Sequence, residues 1–443
     1  MTGAAKSSVR WFLVFWLFIL SAVSYLDRIN IAIAGNSIAS EFHLTNVQLG
    51  SLTSAFLIGY GLFQTLGGWL ADRLGPRRVL AVGVLWWGIF TALTATVSAK
   101  ITFAVFFLAA VRFLLGAGEA VMFPASNQFV SRWIPTQERG IANGIIFAGV
   151  GVGAGATPGL ISSILIHYGW RWSFWASALL GLIAGTAWYF FARDAPEEHS
   201  HVSPAELVHI QTGRTSTSRK GDNRIPWSTI FASKQVWAVT LAYFCFGYVA
   251  WIFFTWFFIY LRNVRGLDLK ASASYTTLLF LTMAACSPLG GAISDKLTKL
   301  HGKRIGRSGI AVFALLLTGI FLGFGSQVHS ARLASVVLAG GAGALYLSQS
   351  SFWSVTADIA SGSSGAVSGF MNMGNQIGGA LTASLTPAIA SRLGWTTSFL
   401  VAAGLCAVGA LAWIFVNPER SLIAKSEAAG SMPDDRNTET WNT

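Results

Sequence analysis

Long apolar stretches separated by short polar segments run through almost the whole chain. A helix that crosses a bilayer needs about 20 mostly apolar residues, and twelve stretches meet that requirement. They are residues 11–34, 48–71, 79–98, 102–126, 140–165, 172–191, 236–261, 272–294, 309–328, 331–356, 364–390 and 396–416. The first is too long for the core of a signal peptide, and we expect it to be retained. The pattern predicts an all-α membrane protein with twelve transmembrane helices.

One long polar segment divides these spans six and six. Residues 192–235 are rich in charged residues, serine and threonine, and Ser203, Pro204 and Glu206 form a capping-box pattern that opens a short surface helix. The chain is therefore expected to have four parts. They are an N-terminal six-helix bundle (1–191), a cytoplasmic linker (192–235), a C-terminal six-helix bundle (236–417) and a cytoplasmic tail (418–443).

The two halves repeat each other at a nearly constant offset. Residues 68–73 follow the second span and match residues 291–296, 223 positions later, while residues 169–174 match residues 394–399 at an offset of 225. Two shorter matches join 140–144 with 365–369 and Pro196-Glu197 with Pro418-Glu419. Paired bundles of this kind are typical of transporters in which the halves rock around a substrate site between them. The repeat predicts two pseudo-symmetric bundles.

Charge is scarce in this chain. Charged residues make up 11% of it, against roughly 25% in soluble domains, and this excludes a water-soluble globule. The net charge of +12 does not indicate a nucleic-acid partner, because such a partner needs lysine and arginine gathered on a folded aqueous face. We expect no nucleic acid to bind.

The basic residues are distributed unequally between the two sides of the predicted spans. Two lie within spans, seven lie in loops on one side, and the remaining 21 of the 30 lie with the tails and the linker. Cytoplasmic loops carry the excess of lysine and arginine, so we expect a multi-pass protein of the cell inner (plasma) membrane with both termini cytoplasmic. The seven basic residues on the other, outer side are Lys100, Arg171, Arg262, Arg265, Lys270, Arg332 and Arg392.

Metal and redox chemistry have no support in the sequence. The three cysteines, Cys245, Cys286 and Cys406, lie in apolar segments without metal-ligand spacing. We expect no metal, no cofactor other than a coupling proton, no enzymatic activity and a monomer in the lipid bilayer.

Four charged residues lie well inside predicted spans, all in the N-terminal half: Asp27, Arg28, Arg112 and Glu119. A charge at the middle of a bilayer costs several kcal/mol, so such residues usually face a cavity and pair. Arg112 and Glu119 are seven positions apart and share one face of span four. Asp27 and Arg28 are about 100° apart on span one, so one can face the cavity while the other faces a neighbouring helix.

These four side chains could carry protons and bind an anionic substrate. A buried carboxylate beside an arginine can load and release a proton as access alternates, which makes Asp27 and Glu119 candidates for proton coupling. An arginine can grip a substrate carboxylate through two parallel hydrogen bonds. The competing interpretation is a satisfied salt-bridge network that only fixes helix packing.

Two motifs give the chain a recognisable family. The stretch Gly68-Trp-Leu-Ala-Asp72-Arg73-Leu-Gly-Pro-Arg77-Arg78 resembles the signature loop of the major facilitator superfamily. Residues 112–118 resemble the span-four motif of that superfamily, with a leucine in place of its usual glutamine. The resemblance implies the major facilitator fold and a gating motif. Its residues are Gly68, Asp72, Arg73, Arg77, Arg78 and the repeat-related Asp295.

Within this motif we expect Asp72 to meet the positive end of a neighbouring helix, and the three arginines to pair with acids on the inner face. The alternative is that the arginines serve only as positive-inside anchors.

A second set of residues resembles the anion:cation symporter branch of that superfamily. The set comprises residues 25–32, Tyr60, Arg112 with Glu119, Trp353 and Asn372. The resemblance implies proton-coupled uptake of an organic carboxylate, with Asp27 and Glu119 protonated for coupling and Arg112 interacting with Glu119. The substrate site would be lined by Tyr25, Arg28, Tyr60, Ser350, Trp353 and Asn372, and Arg112 is a further candidate for binding the substrate. Gln376, one turn from Asn372, can extend a polar patch there, although hydrogen bonding between helices is an equal alternative.

Departures from that branch bear on the substrate. Residues 148–153 carry no side-chain amide, Phe352 stands where a small hydroxyl residue would suit a polyol, and span seven is heavily aromatic. Each unpaired buried hydroxyl costs about 1–3 kcal/mol. The substrate is therefore expected to be either a sugar acid or an aromatic or short aliphatic carboxylate. Two other functions stay open, which are a proton-driven exporter of amphipathic compounds and an uncoupled facilitator or sensor.

Overall fold

The computed structural model describes residues 7–213 and 224–422, and these form helices and turns without a strand. Linker residues 214–223 and tail residues 423–443 lie outside the described part. The predictions for those segments, including the basic residues Arg214, Arg219, Lys220, Lys425 and Arg436, therefore fall outside it too, as does Lys6 at the start of the chain.

In residues 7–213 and 224–422, twelve helical spans form two bundles, as predicted. The N-terminal half contains α1 (Val9–Phe42), α2 (Asn46–Leu74), α3 (Pro76–Thr96), α4 (Ala104–Glu119), α5 (Met122–Trp133), α6 (Arg139–Tyr168) and α7 (Trp170–Phe191). The linker contains α8 (Pro204–Thr212) and α9 (Trp227–Ala232). The C-terminal half contains α10 (Lys234–Trp251), α11 (Phe257–Ile259), α12 (Leu269–His301), α13 (Ile310–Gln327), α14 (Ala331–Leu347), α15 (Gln349–Ile359), α16 (Ser364–Leu393) and α17 (Trp395–Ala412).

Three of the spans are interrupted. α4 and α5 form one span, α14 and α15 form another, and α10 continues through π-helical turns and α11 to Val264. Eleven spans in the described part are long and apolar enough to cross a membrane. The twelfth, α16, is 30 residues long but more polar, because Asn372, Asn375 and Gln376 lie within it. A polar stretch inside a span is tolerated where it faces protein or a cavity.

Both ends of the described chain lie on the side of the molecule that carries α8 and α9, which we call the linker side. Ser7 contacts Ser203 at the start of α8, and the backbone N–H of Asn417 donates to Gln235 at the start of α10. An even number of spans in each half brings the chain back to the same side each time.

The linker helix α8 is held against the start of α1 by one buried acid. Ser203 caps α8 as predicted by accepting from the backbone N–H of Glu206 at 3.2 Å. The Glu206 carboxylate does not return to Ser203. It accepts instead from the backbone N–H groups of Val9 and Arg10 and from the Arg10 guanidinium, at 3.0–3.2 Å. Glu206 is fully buried, and it compensates the positive end of α1.

Replacing Glu206 by alanine should release α8 from α1. Removing one partner of a buried ion pair costs roughly 3–5 kcal/mol, although Arg10 keeps its second contact, with Glu138 at 3.1 Å. Hydrogen exchange of residues 204–212 should therefore speed up by at least tenfold. Glu198→Ala, which removes an exposed acid from the same linker, is the matched control. Equal protection against hydrogen exchange in both variants would show that Glu206 does not hold α8 against α1.

Candidate functional site

A cavity lies between the two halves near the middle of the spans. It contains about 380 Å³ not filled by protein atoms. The N-terminal half contributes Tyr25, Arg28, Tyr60, Phe123, Phe147 and Val150. The C-terminal half contributes Tyr243, Phe246, Ala250, Trp251, Phe254, Tyr346, Gln349, Asn372, Asn375 and Gln376. We call this space the central cavity, and its lining is aromatic with one arginine and four amides.

Arg28 forms the charged part of the cavity wall. Its Nε lies 2.5 Å from Oε1 of Glu119, and its guanidinium carbon lies 4.0 Å from the ring centre of Tyr60 and 4.8 Å from that of Tyr25. Such cation–π stacking stabilises a partly desolvated guanidinium. Nη2 of Arg28 is buried and has no hydrogen-bond partner in the described part. Three predicted substrate-site residues, Tyr25, Arg28 and Tyr60, thus meet on one wall.

Glu119 pairs across helices rather than along its own. The resemblance implies an interaction with Arg112, and the two side chains do interact electrostatically, although no hydrogen bond joins them in the described part. Seven residues of α-helix rise about 10 Å, whereas Arg28 on α1 lies directly opposite Glu119. Arg112 is buried with its guanidinium 4.9 Å from the ring of Phe56, and its Nε and Nη1 have no hydrogen-bond partner among the residues that the structure describes. Arg112 does not line the central cavity in this conformation, and its contact with substrate stays a prediction.

Asp27 faces away from the central cavity. Its Oδ2 lies 3.4 Å from Oγ1 of Thr91 on α3, and its Oδ1 has no hydrogen-bond partner among the described residues. One turn further along the same helix, Asn30 is hydrogen-bonded to Ser173 and Ser177 of α7. Adjacent positions on α1 therefore have different surroundings, as the 100° spacing predicts: Arg28 faces the cavity and Asp27 faces α3 and α7.

The C-terminal wall presents a group of amides. Asn375 Nδ2 donates to Asn372 Oδ1 at 3.2 Å, and Gln376 lines the same cavity. Gln349 donates to the hydroxyl of Tyr243 at 2.9 Å. The polar patch predicted from Asn372 and Gln376 is present, and it faces the cavity. Neither Gln349 nor Tyr243 was identified from sequence, although Gln349 opens a serine-rich stretch within an otherwise apolar span.

Two predicted substrate-site residues lie behind the cavity lining. Ser350 is fully buried and outside the cavity. Trp353 donates from its ring nitrogen to the Tyr243 hydroxyl at 2.9 Å and packs 5.0 Å from the ring of Phe147. α15 turns both residues toward neighbouring side chains, so neither lines the cavity in this conformation, and their direct contact with substrate stays a prediction. Trp353 contacts Tyr243 and Phe147, which do line the cavity.

The interrupted spans place polar groups at equivalent heights. α4 ends at Glu119, and α15 begins at Gln349 in the corresponding span of the other half. A break leaves backbone groups without regular helical partners, which is tolerated in a membrane only beside protein or a cavity. Both breaks lie next to the central cavity, and this locates the site near the pseudo-symmetry axis.

The repeated glycine and aspartate motifs bind each other crosswise on the linker side. Asp72 accepts from the backbone N–H groups of Gly365 and Ala366 at 2.9 and 2.8 Å, at the start of α16. Asp295 accepts from those of Gly140 and Ile141 at 2.9 and 2.7 Å, at the start of α6. Each carboxylate thus meets the positive end of a helix in the other half, as expected for Asp72.

Glycine is required where these helices cross. The backbones of Gly68 and Gly365 touch, and so do those of Gly140 and Gly291. A Cβ on Gly140 would lie 2.5 Å from the carbonyl oxygen of Gly291, closer than real Cβ contacts. The two repeated glycine motifs therefore form two equivalent crossings, α2 with α16 and α6 with α12.

The halves separate on the side opposite the linker. A Cβ on Gly61 of α2 would lie 4.0 Å from Gln376, and one on Gly50 would meet nothing within 4 Å. The same holds for Gly159 of α6. Beyond the central cavity the spacing widens: a Cβ on Gly155 of α6 would lie 3.7 Å from Phe280 of α12, whereas one on Gly140 would lie 2.5 Å from Gly291 on the linker side. The structure is closed on the linker side.

A second network of buried charges, missed by the sequence analysis, reinforces this closure. Arg139 of α6 lies 2.6 Å from Asp358 of α15. Arg307 lies 2.7 Å from Asp295 and 3.6 Å from Asp358. Arg139 and Arg307 are fully buried. The pattern of apolar stretches placed both arginines in loops or at span ends, so they were counted only as topology determinants.

One lysine completes this network at its edge. Nζ of Lys303 lies 3.8 Å from Asp358, and burial lowers the pKa of Lys303. Positive charge is therefore in excess around the Asp358 carboxylate.

Within the described residues, the side chains of the three motif arginines do not pair with acids as expected. Arg73 stacks on Trp69 at 4.2 Å, and Arg77 stacks on Tyr189 at 4.4 Å. Arg78 is exposed and forms no ion pair within the described residues. Two acids near the motif are already bound by backbone N–H groups, Asp72 at α16 and Asp194 at the N–H of Arg77, which leaves the guanidinium groups to aromatic rings and solvent.

Comparison with known proteins gives concordant results. The sequence model described as Major Facilitator Superfamily matches residues 17–383 and 301–436. The chain is 33% identical over 412 residues to a protein of Cupriavidus necator named probable sulfoacetate transporter SauU, covering 93% of this chain and 94% of that protein. It is 28% identical over 421 residues to the hexuronate transporter of Bacillus subtilis, covering 94% and 96%.

A further relative and a solved structure complete the comparison. The probable L-galactonate transporter of Escherichia coli is 28% identical over 407 residues, covering 90% of this chain and 87% of that protein. Among solved structures, the proton:xylose symporter XylE bound to 6-bromo-6-deoxy-D-glucose matches with a TM-score of 0.74 at 15% identity, covering 94% of this chain and 98% of that chain.

Proposed function

Because the chain belongs to the Major Facilitator Superfamily and matches organic-acid transporters over at least nine-tenths of its length, we propose that it imports an organic carboxylate together with protons. It is a transporter and not an enzyme. The observation that carries the proposal is the Arg28–Glu119 ion pair in the wall of the central cavity.

Arg28 is the group that would bind the substrate carboxylate. While Glu119 is ionised it occupies the Arg28 guanidinium, and an incoming carboxylate has to compete with it. Protonation of Glu119 removes that competitor, and the freed guanidinium can bind the substrate through two parallel hydrogen bonds. Proton and anion would therefore load together. Asp27 lies one residue away on the other face of α1 and would carry a second proton site outside the substrate path.

The lining supports a small anion with few hydroxyl groups. The amides of Asn372 and Gln376 face the cavity from the opposite half and can bind polar atoms at the far end of the substrate. The span-five wall offers Val150, whose side chain cannot form a hydrogen bond, and most of the remaining wall is aromatic. Short aliphatic, aromatic and sulfonated carboxylates suit these surroundings better than polyols, whose hydroxyls would stay unpaired.

We assign the linker side to the cytoplasm, because the loops and tails on that side carry most of the lysine and arginine. The structure would then correspond to a conformation that is closed inside and open outside. Rocking of the halves about the central cavity would release the crosswise contacts of Asp72 and Asp295 and expose the site to the cytoplasm. We place the protein in the inner membrane of a bacterial-type cell, as a monomer.

Proton coupling is tested by uptake into proteoliposomes. Sulfoacetate, a hexuronate and L-galactonate are the first probes, and accumulation of the transported anion should rise when the outside is made more acidic. A protonophore should reduce accumulation to the level without a gradient. Transport that the protonophore does not affect would exclude coupling to protons and would favour an uncoupled facilitator.

Asp27→Asn separates the remaining functions. It removes one proton site while leaving Arg28 and the cavity lining in place. In a symporter the variant should lose uphill accumulation, whereas a facilitator should be nearly unchanged. An exporter of amphipathic compounds would instead show outward movement of an apolar probe and no response to carboxylates, and the aromatic lining is the feature that favours it.

A further inference from the structure

A second, larger recess lies on the outer surface of the N-terminal half and shares no residue with the central cavity. It is formed by α2, α3 and the junction of α4 and α5, and it contains about 1150 Å³ not filled by protein atoms. We call it the α2–α4 groove. Leu66 and Leu70 form one wall, Val82 and Trp86 form the other. Its position within the spans directs it toward the lipid.

The groove is deep because glycines form its floor. Gly67, Gly83 and Gly118 line it, and each lies against a neighbouring helix. A Cβ on Gly67 would lie 2.8 Å from Cγ1 of Val121, and one on Gly83 would lie 3.0 Å from the carbonyl oxygen of Gly118. The helix backbones therefore approach closely at the floor, while larger side chains on either side form raised walls.

Most of the large apolar side chains at the groove are exposed in this protein. Leu66 is 44% exposed, Val82 64% and Trp86 41%. The Trp86 ring is fixed, because its nitrogen donates to the carbonyl oxygen of Leu114 at 2.7 Å. An apolar chain lying between the walls would cover these side chains, and an extended acyl chain has the shape that a narrow groove between helices accepts.

The linker-side end of the groove carries a positive charge. Arg78 lines the groove, is exposed and forms no ion pair or hydrogen bond through its side chain within the described residues. It belongs to the first turn of α3, which contains no acidic side chain, so the positive end of that helix adds to its field. Basic residues at the end of a span attract anionic lipid headgroups.

From the apolar groove and its unpaired arginine we propose that the α2–α4 groove binds one anionic phospholipid from the linker-side leaflet. The acyl chain lies between the walls of α2 and α3, and the phosphate binds Arg78. The Arg78 stem packs along the apolar wall while the guanidinium reaches the headgroup region. α2 also carries Asp72, so the lipid binds beside the crossing that closes the linker side.

The test measures lipid binding by the purified full-length protein. Dioleoyl phosphatidylglycerol and dioleoyl phosphatidylcholine have identical chains and differ in headgroup charge, and each is titrated while bound lipid is counted by native mass spectrometry. Phosphatidylglycerol should bind more tightly. Arg78→Gln should weaken its binding about fivefold, which corresponds to the ~1 kcal/mol that one basic residue contributes near an anionic surface.

Two further variants separate this site from general lipid adhesion. Val82→Trp fills the groove from an exposed position and should weaken binding of both lipids. Arg392→Gln removes an exposed arginine at the end of α16 distant from the linker side and should change neither. Equal binding of the two lipids by the unmodified protein, or a preference for phosphatidylglycerol that survives Arg78→Gln, would overturn the proposal. So would a dimer that Val82→Trp converts to monomer, because a second copy would then fill the groove.

Discussion

Replacing Glu119 by glutamine should abolish uphill accumulation of the organic anion while leaving its exchange across the membrane intact. Glutamine has the size of glutamate but cannot exchange a proton in the transport cycle. Arg28 would lose its ionised competitor, now 2.5 Å away, and would be free to bind a carboxylate at any pH. Under an inward proton gradient the internal concentration should fall far below that reached by the unmodified protein.

Binding should become independent of pH in the same variant. Under the proposed mechanism, raising the pH ionises Glu119 in the unmodified protein and reduces the fraction of molecules in which Arg28 is available, so apparent affinity should fall with that fraction. In Glu119→Gln this loss disappears, and affinity at alkaline pH should exceed that of the unmodified protein by at least about tenfold. Thermal stabilisation by sulfoacetate or a hexuronate at two pH values measures this difference.

Glu198→Gln is the control for Glu119→Gln, because it removes an exposed acid of the linker by the same chemical change. It should accumulate the anion normally. If Glu119→Gln also accumulated the anion normally, the Arg28–Glu119 pair would be only a packing contact, and coupling would have to be carried by Asp27 alone.

The architecture was predictable because membrane spans are a local property of sequence. Apolar length gave all twelve spans, and the matched glycine motifs predicted two related halves. The interaction of Asp72 with the start of a helix was also predictable, because the N-terminal end of any helix is positive and attracts a carboxylate. The sequence did not reveal which helix start it meets, since Gly365 lies almost 300 positions away and contributes no side chain to recognise.

Ion-pair partners were not predictable, because burial and pairing depend on the whole fold. Arg112 is seven positions from Glu119 and Arg28 is 91 positions away, yet the packing of α1 against α4 selects Arg28. Arg139 and Arg307 resemble ordinary loop residues at span ends, and only the meeting of the two halves buries them. A positive-inside count treats exposed and buried arginines alike.

Replacing Asp358 by asparagine should shift the protein away from the conformation closed on the linker side. Asp358 lies 2.6 Å from Arg139 and 3.6 Å from Arg307, and Arg139 comes from the other half. In the closed state the variant leaves Arg139 and Arg307 buried between the halves without the negative charge of Asp358. Breaking one side of a buried pair costs roughly 3–5 kcal/mol, and this cost falls on the closed state because opening lets the arginines reach water.

A shift of that size changes the ratio of closed to open molecules by at least about a hundredfold. The backbone N–H groups of Gly365 and Ala366, which are bound by Asp72 in the closed state, should lose protection against hydrogen exchange. Residues 139–144 should lose protection in parallel, since Gly140 and Ile141 are bound by Asp295. Hydrogen-exchange mass spectrometry of the purified chain measures both segments at once.

Two variants make the test of Asp358 decisive. Asp358→Glu keeps the negative charge and should restore most of the protection. Asp268→Asn changes an aspartate that caps α12 on the opposite side and should affect exchange only near residue 271. If Asp358→Asn stayed folded and exchanged at both helix starts like the unmodified protein, the network would not hold the halves together, because its loss must raise the free energy of the closed state relative to the open one.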